Sequence, residues 1–353
     1  MVRLGLSLVA LALLGATLGG AAGAGANAQK PPPRRTVSVM TRNLYLGADL
    51  DPIVHATSIS GAFQAVADAW AQVQTNDFPA RARAIAGELA RAKPDLVGVQ
   101  ELVLYRTQTP SDFLQTRAAN VALDYRLELR KALKQRGLRY HFVGIDVNTD
   151  AELPSGNPPS MDIRLTVRNG LLVRNGIRVR HVNAANYQAQ YPLFKDLEIA
   201  KRGWMSADVT LGGRTFRVVT THLESFDRAT AEAQARELLA GPAKTRLPVV
   251  VLGDLNSRPD GSTSQAYPIL IAGGFRDASS QVHPDAAGLT CCHGVDLRDA
   301  TKGFTERIDY VLTRGGFTAV RGSVTGEAPG SRVAGLWPSD HGGLWMTLRL
   351  LKR

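Results

Sequence analysis

Residues 248–252 read Pro-Val-Val-Val-Leu, an unbroken β-branched apolar run of the kind that forms a strand buried on both faces. The run stops at Gly253-Asp254-Leu255-Asn256, and period-two alternation puts Asp254 and Asn256 on one side of the chain. Ser-Arg-Pro-Asp-Gly at 257–261 then reads as a loop. Alternating apolar positions predict strands over 36–41, 95–100 and 215–221, which deliver Arg42-Asn43, Glu101 and His222 at their ends. Residues 48–78 read as an irregular insertion with one helix over 62–73. Pro79 suits a first helical turn, and Ala82, Ile85, Ala86 and Leu89 recur at i, i+3, i+4 and i+7 before Pro94 ends that helix. A further helix is predicted over 120–135, with Ala122, Leu129, Ala132 and Leu133 on one face and Gly137 closing it.

The middle of the chain turns to strand character, with candidates at 140–147, 161–167, 170–173, 177–182 and 203–211. Asn175-Gly176 and Gly212-Gly213 carry hairpin-turn chemistry. Asp227 is placed to cap a helix running to Ala240, and a short helix at 264–272 and strands at 307–312 and 343–350 complete the pattern. Helices alternating with strands, followed by hairpins, predict an α/β fold: two mixed sheets packed face to face with helices outside.

The length of 353 residues and a 44% hydrophobic content suit one large domain, over 36–353. Residues 1–28 read as a secretory signal peptide: Arg3, an apolar stretch over 4–18, and the small-x-small site Ala26-Asn27-Ala28. That stretch is shorter than the roughly 20 residues of a membrane span, and no other segment is apolar enough to be one. The protein is therefore expected to be secreted, and to be a monomer. Residues 29–35 form a basic, Pro-rich linker. Removing 1–28 takes away only Arg3 and changes the net charge from +11 to +10, a balance that attracts polyanions, although the basic residues are scattered. The two cysteines are the adjacent Cys291-Cys292, which excludes a disulfide framework and leaves a vicinal disulfide or buried thiols; only His293 lies nearby, against ordinary metal-ligand spacing.

Candidate chemistry collects at strand ends. Asn43, Glu101, His222, Asp254 and Asn256 each follow a strand, Asp309 opens Asp-Tyr-Val-Leu at 309–312, and Asp340-His341 precede the last strand. Residues that end one strand and begin an antiparallel neighbour share a sheet edge. Hard oxygen ligands such as Glu101 and Asp340 suit Mg²⁺ or Mn²⁺, and a divalent ion neutralises a phosphate and its departing oxygen. Asp254 is suited to orient or deprotonate a water, and Asp309 to fix and charge the His341 ring. Each residue alone also has a structural explanation, as a loop end, a core histidine or an ion pair with Arg307. The set as a whole does not.

Gln100-Glu101, Thr221-His222-Leu223, Gly253-Asp254-Leu255-Asn256, the 307–311 run Arg-Ile-Asp-Tyr-Val and Ser339-Asp340-His341 resemble, in order and spacing, the motifs of the endonuclease/exonuclease/phosphatase superfamily, the deoxyribonuclease-I-like fold. The resemblance implies a four-layer α/β sandwich and Mg²⁺-dependent hydrolysis of a phosphate ester. It implies that Glu101 and Asn43 hold the metal, with Asp340 supporting that edge. Asp254 positions the attacking water, Asn256 orients the phosphate, and His341 backed by Asp309 steadies its charge. His222 matches branches that use His as phosphate contact or general acid, whereas the abasic-site repair branch resembles a Tyr version. The deoxyribonucleases carry a further acidic residue near the central strand. Here 166–170 reads Thr-Val-Arg-Asn-Gly, and Arg168 and Asn169 are taken as facing substrate instead.

The leading expectation is a secreted nuclease acting on DNA or RNA. A sphingomyelinase-like phospholipase C, or a phosphatase on inositol phosphates or phospholipids, keeps the chemistry and changes the substrate to a phospholipid head group. A lipid enzyme should show an exposed aromatic hairpin; Tyr187, Tyr191, Phe194 and Trp204 fall in the right region without forming a clear one. A catalytically inactive binding module is the third reading, and the intact candidate set argues against it.

Overall fold

The computed structural model describes residues 35–193, 198–300 and 303–351, so the expected signal peptide, nearly all of the linker and Phe194 lie outside the described residues. The first third comprises β1 (Thr36–Asn43), α1 (Asp51–Val54), α2 (Ile59–Thr75), α3 (Phe78–Ala92), β2 (Leu96–Gln100), β3 (Leu104–Gln108), β4 (Asn120–Asp124) and α4 (Tyr125–Gln135). The middle holds β5 (Tyr140–Ser155), β6 (Met161–Arg174), β7 (Arg178–Asn186), β8 (Tyr191–Leu193), β9 (Glu198–Ala200), β10 (Gly203–Leu211) and β11 (Arg214–His222). Last come α5 (Arg228–Ala240), β12 (Val249–Asp254), α6 (Ala266–Ala272), β13 (Arg276–Asp277), α7 (Ala278–Val282), β14 (Asp309–Arg314), β15 (Phe317–Thr325) and β16 (Gly343–Leu350).

An eight-stranded sheet runs β15-β16-β1-β2-β6-β3-β4, with β5 paired to β6, and a six-stranded sheet runs β13-β14-β12-β11-β10-β7. The pairs β1–β2 and β11–β12 are parallel, which makes both sheets mixed. Side-chain alternation sorts residues into layers. Val37, Val39, Leu96, Val218, Val250 and Leu252 fill the core between the sheets. Val97, Val99, Ile85 and Leu129 form a second core under α3 and α4, and Val249, Val251, Ala235 and Leu270 a third under α5 and α6. Central β12 thus buries both faces, as its unbroken apolar run predicts. The expected four-layer sandwich is the architecture observed.

The layer between the sheets changes character at one end. Beyond Val39 the same phase of β1 carries Thr41 and Asn43, β2 carries Gln100, β11 carries Thr220 and His222, and β12 carries Asp254, all buried. Gln100 ties the sheets together there, donating to Thr220 Oγ1 at 3.1 Å and accepting from Thr41 Oγ1 at 3.1 Å. Gly98 permits this close approach, since a Cβ on it would stand 2.6 Å from Thr220 Oγ1 and 2.9 Å from Leu252 Cβ. Behind this end, Arg42 and Glu88 form a fully buried ion pair at 3.0 Å, and Arg42 also donates to the His341 carbonyl. Removing one member leaves the other charge buried and uncompensated. Glu88→Ala is therefore expected to cost about 3–5 kcal/mol in chemical denaturation.

The structure corrects several element expectations. Residues 120–124 are the edge strand β4 rather than the start of a helix, because the Asp124 side chain caps α4 by accepting from Arg126 N at 2.9 Å. The 161–167 and 170–173 candidates are one strand, β6, paired along most of its length with β5. Asn175-Gly176 does not close a hairpin, since β6 and β7 lie in different sheets. Gly212-Gly213 does close one, between β10 and β11, with φ of 58° and 77° that suit a tight turn between twisted strands.

Candidate active site

The polar end of the inter-sheet layer gathers side chains from both sheets. In register, His222 faces Asp254 across β11–β12, and Asp254 faces Asp309 across β12–β14. Asp340 and His341 sit in the turn leading into β16, where Ser339 Oγ donates to the Asn43 carbonyl at 2.9 Å. One continuous chain of contacts results. Asn43 Nδ2 donates to Glu101 Oε1 and to Asp254 Oδ2, both at 3.0 Å. Asp254 Oδ2 lies 3.7 Å from His341 Nε2 and 3.6 Å from His222 Nε2. His341 Nδ1 is bonded to Asp309 Oδ2 at 2.8 Å, and Asp340 Oδ1 is 3.9 Å from His341 Nε2. Asn256 places its amide 3.0 Å from His222 Nε2, donates to Leu223 O at 2.9 Å, and its backbone N–H caps Asp254 Oδ1 at 3.0 Å.

Backbone conformation shapes the rim. Glu101 and Asn256, each just beyond a strand, have φ of 53° and 46°, in the left-handed region that non-glycine residues enter at a cost and that recurs at functional sites. This turn points the Glu101 carboxylate back over the strand ends, where its Oε2 accepts from Leu46 N at 2.6 Å. The loop at 44–46 is fixed by buried Arg81, which donates to the Leu44 and Tyr45 carbonyls, and by Tyr125 OH, which donates to Leu46 O at 2.8 Å.

Burial and crowding tune the titrating groups. Burial, with Asp309 alongside, raises the Asp254 pKa to about 7. Burial raises Asp340 to about 6, with Glu101 adding to the shift. For His341, burial opposes the charged form, yet the carboxylates of Asp309, Asp340 and Asp254 outweigh it and hold the ring's pKa well above the ordinary histidine value. Burial and then the Arg202 guanidinium, 3.2 Å from Nδ1, push His222 well below that value, so its ring is neutral at pH 7. One protonated and one neutral histidine therefore flank Asp254.

The donor set fits a hard divalent cation. Glu101, Asp254 and Asp340 line one cavity, Asp309 stands behind His341 with its Oδ1 buried and without a hydrogen-bond partner, and Asn43 turns its Nδ2 to Glu101 and Asp254 while its Oδ1 accepts from Tyr45 N at 2.9 Å. Carboxylate oxygens match Mg²⁺ or Mn²⁺ better than softer ions. Among the described residues, Asp254, Asp309 and His341 form a cluster of potential ligand atoms within 4.8 Å of one another, and Cys291, Cys292 and His341 form another. The cysteines are bonded to each other as a vicinal disulfide, with Cys291 Sγ 3.6 Å from His341 Nε2, so neither sulfur is a thiolate ligand.

Eight of the ten sequence-predicted residues come together here: Asn43, Glu101, His222, Asp254, Asn256, Asp309, Asp340 and His341. Arg168 and Asn169 do not. The Arg168 guanidinium is bonded to the Leu102 and Val103 carbonyls and to Asp124, and Asn169 is fully buried against Asp146 and Asn148. Strand β6 passes through the interior of its sheet, so the expectation that these two face substrate is corrected: both are structural. Sequence reasoning missed Arg202, Ser225 and Tyr45, which line the cavity at the site. Ser225 lies two residues beyond the motif Thr221-His222-Leu223 that had already supplied His222. Arg202 and Tyr45 carried no sequence signal, because only folding brings them to this edge.

Comparison with known proteins agrees with this fold. The chain is similar in fold to an endonuclease/exonuclease/phosphatase from Beutenbergia cavernae (22% identity, TM-score 0.57, covering 90% of this chain and 72% of that one). It is similar likewise to a mannosyl-6-phosphatase of Bacteroides thetaiotaomicron (14%, TM-score 0.53, 88% and 99%). A third similar structure is D. rerio TDP2 complexed with a single-strand DNA product (17%, TM-score 0.53, 89% and 99%). No curated protein sequence matches the chain. The profile of the Endonuclease/Exonuclease/phosphatase family matches residues 69–341, a span that includes Glu101, His222, Asp254, Asn256, Asp309 and His341, and the chain is a member of that family.

Proposed function

We propose that this protein is an exported hydrolase of phosphodiester bonds that works with a bound Mg²⁺ or Mn²⁺. The observation that carries the reading is the contact chain from Glu101 through Asn43 and Asp254 to His341 and Asp309, which sets an acceptor carboxylate between a cation-binding edge and a charged imidazole. Glu101 and Asn43 would hold the metal, with Asp340 beside them. When bound, it supplies Lewis-acid stabilisation of charge on the phosphate oxygens. Asp254, with a pKa near neutrality, accepts a proton from the attacking water, or orients that water. Asn256 orients a phosphate oxygen, protonated His341 stabilises the charge that develops on it, and neutral His222 is placed as a hydrogen-bonding contact to the phosphate.

Two substrate classes have support. The net charge of +11 and the likeness to a protein solved with single-strand DNA favour nucleic acid. The wall of the site itself favours a less highly charged ester. Among the described residues Arg202 is the one arginine or lysine lining the cavity, and Arg42, Arg81 and Arg168 spend their charge on buried partners. The deciding assay sets plasmid, RNA, sphingomyelin and bis-p-nitrophenyl phosphate side by side with the mature chain, in Mg²⁺ or in EDTA. Hydrolysis of at least one diester is expected in Mg²⁺, with loss of nearly all activity in EDTA. Glu101→Gln should raise the Mg²⁺ concentration needed for half-maximal rate by about tenfold or more, the size of effect seen when ligand environments are disrupted. Activity in EDTA equal to that in Mg²⁺ would sink the metal-dependent reading.

A further inference from the structure

The cavity at the active site extends well past the phosphate chemistry. Its volume is about 470 Å³, and its inner part is apolar. One wall is Leu50 and Ile53 at α1, with Val66, Ala69 and Trp70 on α2. The facing wall is Ile163, Leu165 and Val167, alternate positions on one face of β6, with Leu153 of β5 beside them. Leu46, Leu50, Ala69, Trp70, Leu153 and Leu165 remain partly accessible, although each packs against the core. The insertion at 48–78 therefore builds a lined space in place of a sealed core.

This space is continuous with the reacting groups. Leu46 presents its side chain to the cavity while its N–H binds Glu101 Oε2, and the same cavity reaches Asp254, Asn256 and His341. The residues with charge at its α1 side are Asp49 and Asp51, which repel a second phosphate. A volume of several hundred Å³ with one polar, charged end suits a ligand with a phosphate at that end and an apolar body.

We propose that the substrate is a phosphodiester carrying an alkyl chain, and that α1, α2 and the β5–β6 face bind this chain while the phosphate sits at Asp254 and His341. The proposal rests on the hydrolase reading above and names its substrate class. Hydrolysis takes up one water and yields a phosphomonoester and an alcohol. Burial of a methylene from water is worth roughly fourfold in affinity.

The test uses the mature chain in Mg²⁺ with p-nitrophenyl n-alkyl phosphates from methyl to dodecyl, below their micelle concentrations. The value of kcat/KM is expected to climb by roughly fourfold per methylene over the first several carbons, then level off as the cavity fills. Ala69→Phe, which occupies the cavity from α2, should flatten this climb and leave the methyl ester unchanged. Val54, the last residue of α1, also lines the cavity, and Val54→Trp does the same from there should the first variant fail to fold. Calorimetric binding of n-octyl phosphate against methyl phosphate gives a readout independent of turnover, and octyl should bind tighter by at least tenfold. Hydrolysis of the methyl ester with no dependence on chain length overturns the proposal and leaves the hydrolase intact. No hydrolysis of any ester overturns the hydrolase reading, while equal binding of the two phosphates overturns the cavity assignment on its own. Cleavage of single-stranded DNA that n-octyl phosphate fails to inhibit also overturns it.

Discussion

Asp254→Asn is expected to lower kcat/KM for phosphodiester hydrolysis by about 10³–10⁴, in the upper range for loss of a positioned general base. The substitution keeps the shape of the side chain but removes its proton affinity. Its effect on stability should run the other way. Asp254 is fully buried with Asp309 beside it, and its folded pKa of about 7 exceeds that of an unfolded aspartate. The folded state therefore holds this proton more tightly than the unfolded state does. Its contribution is fully present below the unfolded pKa and is lost as pH rises through about 7. At pH 8, without metal, the buried carboxylate opposes folding, and the neutral amide removes that penalty. The melting temperature of Asp254→Asn in EDTA at pH 8 should match or exceed that of the wild type. A variant that loses activity because it melts well below the wild type would remove Asp254 from the chemistry.

Asp309→Asn should act through His341. The Asp309 carboxylate is fully buried, accepts from Nδ1 at 2.8 Å, and leads the attractions that keep the ring charged against its burial. An amide offers no negative charge and leaves the ring orientation and proton position unfixed. A loss of about 10²–10⁴ in kcat is expected at pH 8, within the range for a positioned acid or base. The loss should depend on pH. In the wild type His341 stays protonated through neutrality, whereas in the variant its pKa falls, so the variant's rate relative to the wild type falls as pH rises and partly recovers at pH 5–6. A pH–rate profile of both proteins checks this. A uniform loss at every pH would assign Asp309 a purely structural role.

The elements that build the site were legible for a simple reason. Strands β1, β2, β11 and β12 are buried between packed layers, so their apolar runs are long and end abruptly, and the residues at those ends stand out. Asp254 and Asn256 were visible as a pair two positions apart. The Asp227 cap of α5 was visible because an aspartate ahead of an apolar-periodic segment satisfies orphan N–H groups, here Thr230 N at 2.7 Å. Edge elements were less legible. Strand β4 is exposed for most of its length, and its composition does not separate it from the helix it precedes. Strand β15 escaped notice for the same reason, being largely exposed with mixed polarity. The Asn175-Gly176 turn shows the limit of local reading: its chemistry supplies a tight reversal but cannot say which sheet the next strand joins.

Arg168 and Asn169 mark the same limit at the level of function. A basic residue and an amide in a central strand look like substrate contacts in one dimension, and only the pairing of β6 with β2, β3 and β5 shows that they satisfy carbonyls and carboxylates inside the sheet. The apolar cavity was invisible for the complementary reason. Its walls are ordinary core residues, and whether Ile163, Leu165 and Val167 seal against α2 or leave a space depends on how far apart the two elements settle.

By itself the sequence determined the alternation of buried strands and helices, the family, and the eight side chains that gather at the candidate site, because each is a local pattern of hydrophobicity or a short motif. The tertiary structure alone decided the charge states of His222 and His341, the structural duty of Arg168 and Asn169, and the cavity beside Glu101. Each of these depends on distances between residues far apart in the chain, and burial and Coulomb interaction act through space rather than along the backbone.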